Sequence, residues 1–131
     1  MSVFGGRVFD FRYAGVTGLM TALGLGPKRS RIEVGGDEVR VVMGWGFRAR
    51  IPRSSIKGAN ASSGPAGGIG VHGWRGRWLV NGSTDNLVDI EIDPPVRAVA
   101  VGFPVKLRLL RVSAEDPDGL VAALSRRPAG S

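Results

Sequence analysis

The chain has 131 residues, 43% of them hydrophobic, which is the size of one ordinary domain with enough apolar side chains to bury a core. It contains no cysteine, which excludes disulfides, thiolate zinc sites and a cysteine nucleophile. The net charge is +7, and 15 of the 18 basic residues are arginine, so the composition favours an anionic partner such as nucleic acid, lipid headgroups or an acidic protein.

The N-terminal residues lack the apolar segment of a signal peptide, and no apolar run approaches the roughly 20 residues that a membrane span requires. We therefore expect a cytoplasmic protein, with peripheral attachment to the inner face of the membrane as a further expectation. The 21 glycines and 8 prolines favour many short elements joined by tight turns, and hence a mainly β fold. We expect a single domain over residues 1–131, ordered from 8 to 126, with a frayed tail at 127–131.

Alternating aromatic residues predict a first strand over 9–13, and apolar residues at helical spacing predict a short helix over 16–23. That helix would either plug one end of a β core or anchor the chain at a membrane interface, and its uncharged second face favours the plug. Strands are then predicted over 31–34 and 38–43, joined by a Gly-Gly-Asp turn.

The next strand is predicted over 45–51, where Trp45 alternates with Arg48 and Arg50 and is assigned to the core. Residues 57–68 are small and polar and predict the longest loop. Five further strands follow, with Asp93-Pro94-Pro95 separating the third from the fourth, and their ranges are 69–72, 75–80, 87–92, 96–101 and 105–112.

A C-terminal helix is predicted after the sequence Ser113-Ala-Glu-Asp116, which is similar to a capping box, with Pro117 in the first turn. Its acidic first turn and basic last turn both complement the helix dipole. Short strands at regular spacing, followed by this one helix, indicate a β sandwich or a small barrel.

Residues 68–73, GIGVHG, match the spacing G-x-G-x-x-G of dinucleotide-binding proteins. That motif requires a strand before it and a helix after it, whereas here a glycine-rich loop precedes it and a strand-like segment follows. His72 is the chain's only histidine, and no carboxylate lies within ten residues of it, so only Asp89 or Glu91 could complete a site after folding. We predict no catalytic residue, no cofactor and no metal; an enzyme or small-molecule-binding protein that uses His72 is the less favoured alternative.

The most informative charges are three pairs of basic residues, each at positions i and i+2 of a predicted strand and therefore on one face of it. If the three strands lie close together, the pairs would form a patch that binds phosphate, because the planar guanidinium fork matches phosphate oxygens. The alternative is a solvated outer face, partly neutralised by Asp89, Glu91 and Asp93. The six candidate contact residues are Arg48, Arg50, Arg75, Arg77, Lys106 and Arg108.

The segments LGLGPKRSRIEV, VRVVMGWGFRARIPRSSIKG and LRLLRVSAEDPDGLVAAL resemble a group of small, uncharacterised actinobacterial proteins, and the order of elements resembles the pleckstrin-homology-like barrel. The resemblance implies a mainly β, PH-like barrel of about seven antiparallel strands in two orthogonal sheets, with a short N-terminal helix and one C-terminal capping helix. The matched motifs describe turns, strands and caps and carry no known catalytic residue. From the basic pairs, we expect a non-catalytic binding or scaffolding module that contacts a protein partner or an anionic membrane surface through the arginine-rich face. Nucleic-acid binding is the alternative function. In inositide-binding PH domains the basic motif includes the first hairpin loop, whereas residues 35–38 are acidic here.

Overall fold

The computed structural model describes residues 7–13, 17–62, 70–83 and 85–125, and this part of the chain is mainly β, as predicted. No helix within these ranges is long and apolar enough to cross a membrane. The predicted frayed tail at 127–131 lies outside the described residues. The described strands are β1 (Arg7–Phe9), β2 (Ser30–Val34), β3 (Glu38–Met43), β4 (Phe47–Pro52), β5 (Ile56–Ala61), β6 (Gly70–Trp74), β7 (Arg77–Asn81), β8 (Leu87–Ala100) and β9 (Phe103–Ser113), and the helices are α1 (Thr17–Ala22) and α2 (Pro117–Ser125).

These nine strands form one sheet around the long hairpin of β8 and β9. The strand order is β1-β2-β3-β4-β8-β9-β7-β6, and β5 pairs with the first half of β8 while β4 pairs with its second half. Two details differ from the expected architecture, since nine strands are described instead of about seven and the pair of β7 and β9 is parallel. The described strands are hydrogen-bonded in one sheet, and a division into two orthogonal sheets is not confirmed. Within the described ranges β6 and β1 do not pair, so hydrogen bonds do not close the sheet.

Buried residues alternate with half-buried ones in β3 and with exposed ones in β4, which places the core on one face of the sheet. Val41, Phe47 and Ile51 are fully buried on that face. The residues between them lie on the outer face, which is where both arginines of β4 are found. The two strands thus fix which side of the sheet carries charge.

The predicted strand over 9–13 is only partly regular. β1 ends at Phe9, and Phe11 and Tyr13 then form isolated bridges with Ala114 and Gly82. After Phe9 the segment leaves β2 and runs to the C-terminal end of β9, where the Arg12 N–H donates to the Ser113 carbonyl and the Glu115 N–H donates to the Asp10 carbonyl.

Helix α1 confirms the predicted N-terminal helix over the described residues 17–22, while Val16 lies outside them. Met20 is buried in the core, in agreement with the predicted plug. Leu23 follows the helix and is 52% exposed, so the apolar stripe does not continue into the core.

The prediction of a loop over 57–68 is wrong for residues 57–61, which belong to β5, and residues 63–68 lie outside the described ranges. Ala59 pairs with Ile90 of β8 and is buried, and helix α2 packs on this strand. The small buried side chain of Ala59 leaves room for the helix, although in the sequence small residues are typical of a loop.

The predicted break at Asp93-Pro94-Pro95 does not divide the strand, since β8 runs from Leu87 to Ala100, but it coincides with a register shift in the pairing with β9. Its ladder with β9 passes from Glu91 directly to Val96. The two prolines therefore occupy positions where no ladder N–H is needed, which removes the usual reason for proline to end a strand.

Helix α2 confirms the predicted C-terminal helix, although its N-cap is Asp116 and not Ser113. Asp116 Oδ1 accepts a hydrogen bond of 3.0 Å from the Gly119 N–H. Ser113 belongs to β9, where it is fully buried and donates a hydrogen bond of 2.8 Å to the Arg12 carbonyl. At the other end of the helix, Arg53 Nη1 donates to the Ala123 carbonyl at 3.1 Å.

Candidate anion-binding site

The outer face of β3, β4, β8 and β9 carries basic residues at directly paired positions. Arg40 of β3 lies opposite Arg50 of β4, and Arg97 of β8 lies opposite Lys106 of β9. Arg48 of β4 pairs with a valine on each side, Val42 and Val99. Because directly opposed residues of an antiparallel pair project from the same face, these side chains share one surface.

This surface forms an open groove with a volume of about 940 Å³. None of the described residues that line it is acidic, and its apolar lining includes Trp45 and Val99. We call it the arginine groove and define it by its seven basic lining residues, which are Lys28, Arg29, Arg31, Arg40, Arg48, Arg50 and Arg97.

Two carboxylates at the margin of the arginine groove neutralise part of its charge. Glu38 accepts two hydrogen bonds from Arg50, at 2.8 and 2.9 Å, and a longer one of 3.3 Å from Arg40. Glu33 pairs in the same way with Arg31. The other four basic residues of the groove form no ion pair among the described residues; they are Lys28, Arg29, Arg48 and Arg97. The groove therefore keeps a large excess of positive charge.

The hydrogen bond from Arg50 lowers the pKa of Glu38 to about 2, from an ordinary value of 4.5, with a smaller contribution from Arg40. A carboxylate with a depressed pKa stabilises the fold fully above its ordinary pKa, and this stabilisation is lost as the pH falls toward the folded value. Glu38 is therefore ionised over the whole physiological range, and its partial neutralisation of the groove is permanent.

We expect the substitution Glu38→Gln to lower the free energy of unfolding at neutral pH by an amount that stays constant down to a pH of about 5. The difference from the unmodified protein should then shrink as the pH falls from 4.5 toward 2, because Glu38 of the unfolded chain takes up a proton over that range while Glu38 of the folded protein stays ionised until the pH approaches 2. Urea unfolding at a series of pH values measures this difference in the free energy of unfolding. Glu91→Gln is the matched control, since Glu91 is an exposed glutamate of β8; a difference that does not change between pH 4.5 and 2 would contradict the expectation.

A second, smaller groove of about 590 Å³ lies at the neighbouring edge of this face. Arg75, Lys106 and Arg108 line it around the ring of Trp78, which packs so closely on Gly73 that a Cβ there would lie 2.0 Å from the ring. The pairing of Arg97 with Lys106 joins this groove to the arginine groove.

The three predicted basic pairs thus converge only in part. Arg48 and Arg50 line the arginine groove, and Arg75, Lys106 and Arg108 line the second one. Arg77 is exposed on β7 and lines neither of these two grooves. The sequence pattern did not reveal the contributions of five further basic residues. The pairing of β2, β3, β4 and β8 brings three of them to the groove, and a short 3-10 helix before β2 supplies the other two; the five are Arg31, Arg40, Arg97, Lys28 and Arg29.

The assignment of Trp45 to the core is wrong, since its side chain is 55% exposed. Residues 44–46 form a turn in which Gly44 has a φ of 52°, and β4 begins only at Phe47. The turn breaks the two-residue alternation on which the assignment rested. The Trp45 Nε1–H donates to the Leu23 carbonyl at 2.7 Å, which fixes the indole at the edge of the arginine groove.

His72 lies on β6, is exposed, and pairs opposite Leu79 of β7. The described part of GIGVHG, from Gly70 onward, is therefore a strand that leads through a turn into another strand. Asp89 binds Arg111 at 2.6 Å. Within the described ranges, no three residues of the His, Asp and Glu types are placed to hold a metal ion.

The arginine groove supplies positive charge and hydrogen-bond donors over a wide, shallow surface. Its described lining contains no histidine, hydroxyl or carboxylate that could act as a nucleophile or a general base. Such a surface is chemically suited to binding several phosphate groups at once. The chain matches no protein-family model, no curated protein and no solved structure.

Proposed function

We propose that the protein is a non-catalytic binding module that attaches to an anionic membrane surface through the arginine groove. The observation that carries this proposal is the placement of two like charges at directly opposed positions, Arg97 with Lys106, neither of which forms an ion pair among the described residues. The other opposed pair, Arg40 with Arg50, is bridged by Glu38. Like charges directly opposite each other destabilise a sheet. A protein that retains such a pair of like charges is less stable because of it, which indicates a functional reason for the pair. A negatively charged ligand offsets the repulsion between the two side chains.

The shape of the charged face favours a surface as its ligand. The groove is open, extends across several strands, and continues through Lys106 into the second groove. A lipid bilayer presents many phosphate groups in a plane, and each lysine or arginine close to an anionic membrane contributes about 1 kcal/mol to attachment. The proposal places the protein in the cytoplasm, peripheral to the inner face of the membrane.

The proposal also includes a variant of the PH-like barrel as the framework. Its support is the antiparallel run of β1 to β4 and the single C-terminal helix α2, which packs on β5 and β8. The basic surface differs from the inositide site of PH domains, because it lies on the outer face of the strands and not in the acidic loop of residues 35–38. The proposed ligand is therefore the anionic surface of the membrane as a whole and not one inositide headgroup.

The test is cosedimentation with vesicles of phosphatidylcholine that contain phosphatidylglycerol, compared with vesicles of phosphatidylcholine alone. We expect binding only to the anionic vesicles, weakening steeply as salt is added. Arg48→Glu should weaken this binding roughly thirtyfold, since two charge units are lost at about 1 kcal/mol each. Lys57→Glu is the matched control, because Lys57 is an exposed residue of β5 outside both grooves.

Two results would count against a membrane ligand. Binding that does not change with salt would show that charge does not drive it. Salt-dependent binding to a generic oligonucleotide, without binding to anionic vesicles, would instead assign the arginine groove to nucleic acid.

A further inference from the structure

One end of the sheet exposes large apolar side chains beside the arginine groove. Phe103 is 71% exposed, Trp45 55%, Leu23 52% and Val101 45%. We call these four residues the apolar end. Exposed apolar residues are common singly, but a group of them at one place on a protein marks an interaction site.

Backbone geometry brings the apolar end together from three separate segments. The Trp45 indole donates to the Leu23 carbonyl, and the Val101 N–H donates to the Gly46 carbonyl at 2.8 Å. Phe103 pairs with Ala100 as the first residue of β9 after the turn. The turn that follows α1, the turn between β3 and β4, and the turn between β8 and β9 therefore meet at the same end.

The turn between β8 and β9 contains a valine, Val101, in a backbone conformation that β-branched residues rarely adopt. Val101 and Gly102 have φ angles of 50° and 81°, the conformation that favours Asn-Gly in a two-residue hairpin turn. A β-branched residue with positive φ is strained. Strain at an exposed apolar position is a reason to infer a functional role for the side chain.

The apolar end and the arginine groove form one continuous surface, because Trp45 and the neighbouring Val99 also line the groove. We infer that the apolar end inserts into the bilayer, while the arginine groove contacts the headgroups of the same membrane. This inference rests on the proposed function and adds to it the depth and orientation of attachment. The charge of the groove is what selects a bilayer with anionic headgroups over an apolar protein partner.

The hydrogen bonds at this end also permit insertion. A polar group that enters an apolar medium without a partner is costly. The indole N–H of Trp45 is already bound to the Leu23 carbonyl, and the Val101 N–H is bound to the Gly46 carbonyl. Both N–H groups would therefore keep a hydrogen-bond partner when the apolar end enters the membrane.

The test uses the absence of cysteine from the chain, which allows a single introduced thiol to be labelled with an environment-sensitive nitrobenzoxadiazole dye. The label is placed at Leu23→Cys, and the matched control is Ala122→Cys on the exposed face of α2. With anionic vesicles, we expect the fluorescence at position 23 to shift to shorter wavelength and to increase, with no change at position 122. Phe103→Ser should weaken vesicle binding about tenfold or more, because a phenyl ring no longer leaves water.

The outcomes separate this inference from the proposed function. Unchanged binding by Phe103→Ser and no spectral shift at position 23, together with loss of binding in Arg48→Glu, would overturn the insertion and leave electrostatic attachment in place. No binding of the unmodified protein to anionic vesicles would overturn both. Thermal unfolding of each variant checks that it is folded, which we expect since Leu23, Phe103 and Ala122 are exposed.

Discussion

Replacing Arg97 by glutamate is expected to make the protein more stable and, at the same time, to weaken its binding to anionic vesicles. Arg97 lies directly opposite Lys106 in the antiparallel pair of β8 and β9, and it lines the arginine groove. The substitution Arg97→Glu converts a repulsive cross-strand pair into an attractive one, which should raise the free energy of unfolding by about 1 kcal/mol. The loss of two charge units from the groove should weaken membrane binding roughly thirtyfold.

Urea unfolding and vesicle cosedimentation measure the two effects on the same variant. Lys57→Glu changes the net charge equally at an exposed position outside both grooves, so it should leave vesicle binding within a few-fold of the unmodified protein. If Arg97→Glu is both less stable and weaker in vesicle binding, Arg97 stabilises the fold and is not retained at a cost in stability for its ligand. Opposite changes in stability and binding are the specific signature of a charge retained for a ligand.

The second expected result concerns Val101→Asn, which creates the Asn-Gly sequence that two-residue hairpin turns favour. Relief of the positive φ at a β-branched residue should raise the free energy of unfolding by about 1 kcal/mol. Vesicle binding should fall several-fold, since the exposed apolar side chain is replaced by a polar one. Val8→Asn is the control, because Val8 is an exposed valine of β1 outside the apolar end.

Thermal unfolding in the absence of lipid and titration with anionic vesicles separate the two contributions of Val101. A stabilised variant with unchanged vesicle binding would show that the valine plays no part in attachment. Weaker binding of Val8→Asn than of Val101→Asn would place the membrane contact elsewhere on the sheet. The expected pattern is a gain in stability and a loss of binding at position 101 alone.

The elements that could be predicted from the sequence are those with a clear period. Alternation in β3 and β4 identified both strands and the outward direction of Arg48 and Arg50, and the apolar stripe of α2 identified the C-terminal helix. The errors occurred where one residue type has two physical uses. Small residues at 58–61 resemble a loop but belong to β5, where Ala59 is buried, and Pro94 and Pro95 lie where the ladder of β8 needs no donor.

The candidate site was predictable in chemical type but not in composition. The charge of +7 and the arginines at i, i+2 spacing are enough to indicate a basic face. The pairing register then determines its membership, bringing Arg40 and Arg97 beside Arg48 and leaving Arg77 outside the two grooves. The position of Trp45 depends on one turn, which no alternation could reveal.

The sequence by itself determined the class of fold, the outward direction of the arginines of β4, and the excess of arginine, because these follow from local period and composition. The predicted pair of Arg75 and Arg77 does not share a strand face, since Arg75 lies in the turn before β7 with a φ of 53°. Only the tertiary structure decided which charges are neighbours. Cross-strand partners such as Arg97 and Lys106 are close in space because of the β8–β9 register, and the residues of the apolar end meet because three turns converge. Those contacts are set by how strands pair and end, and pairing is a property of the folded sheet as a whole.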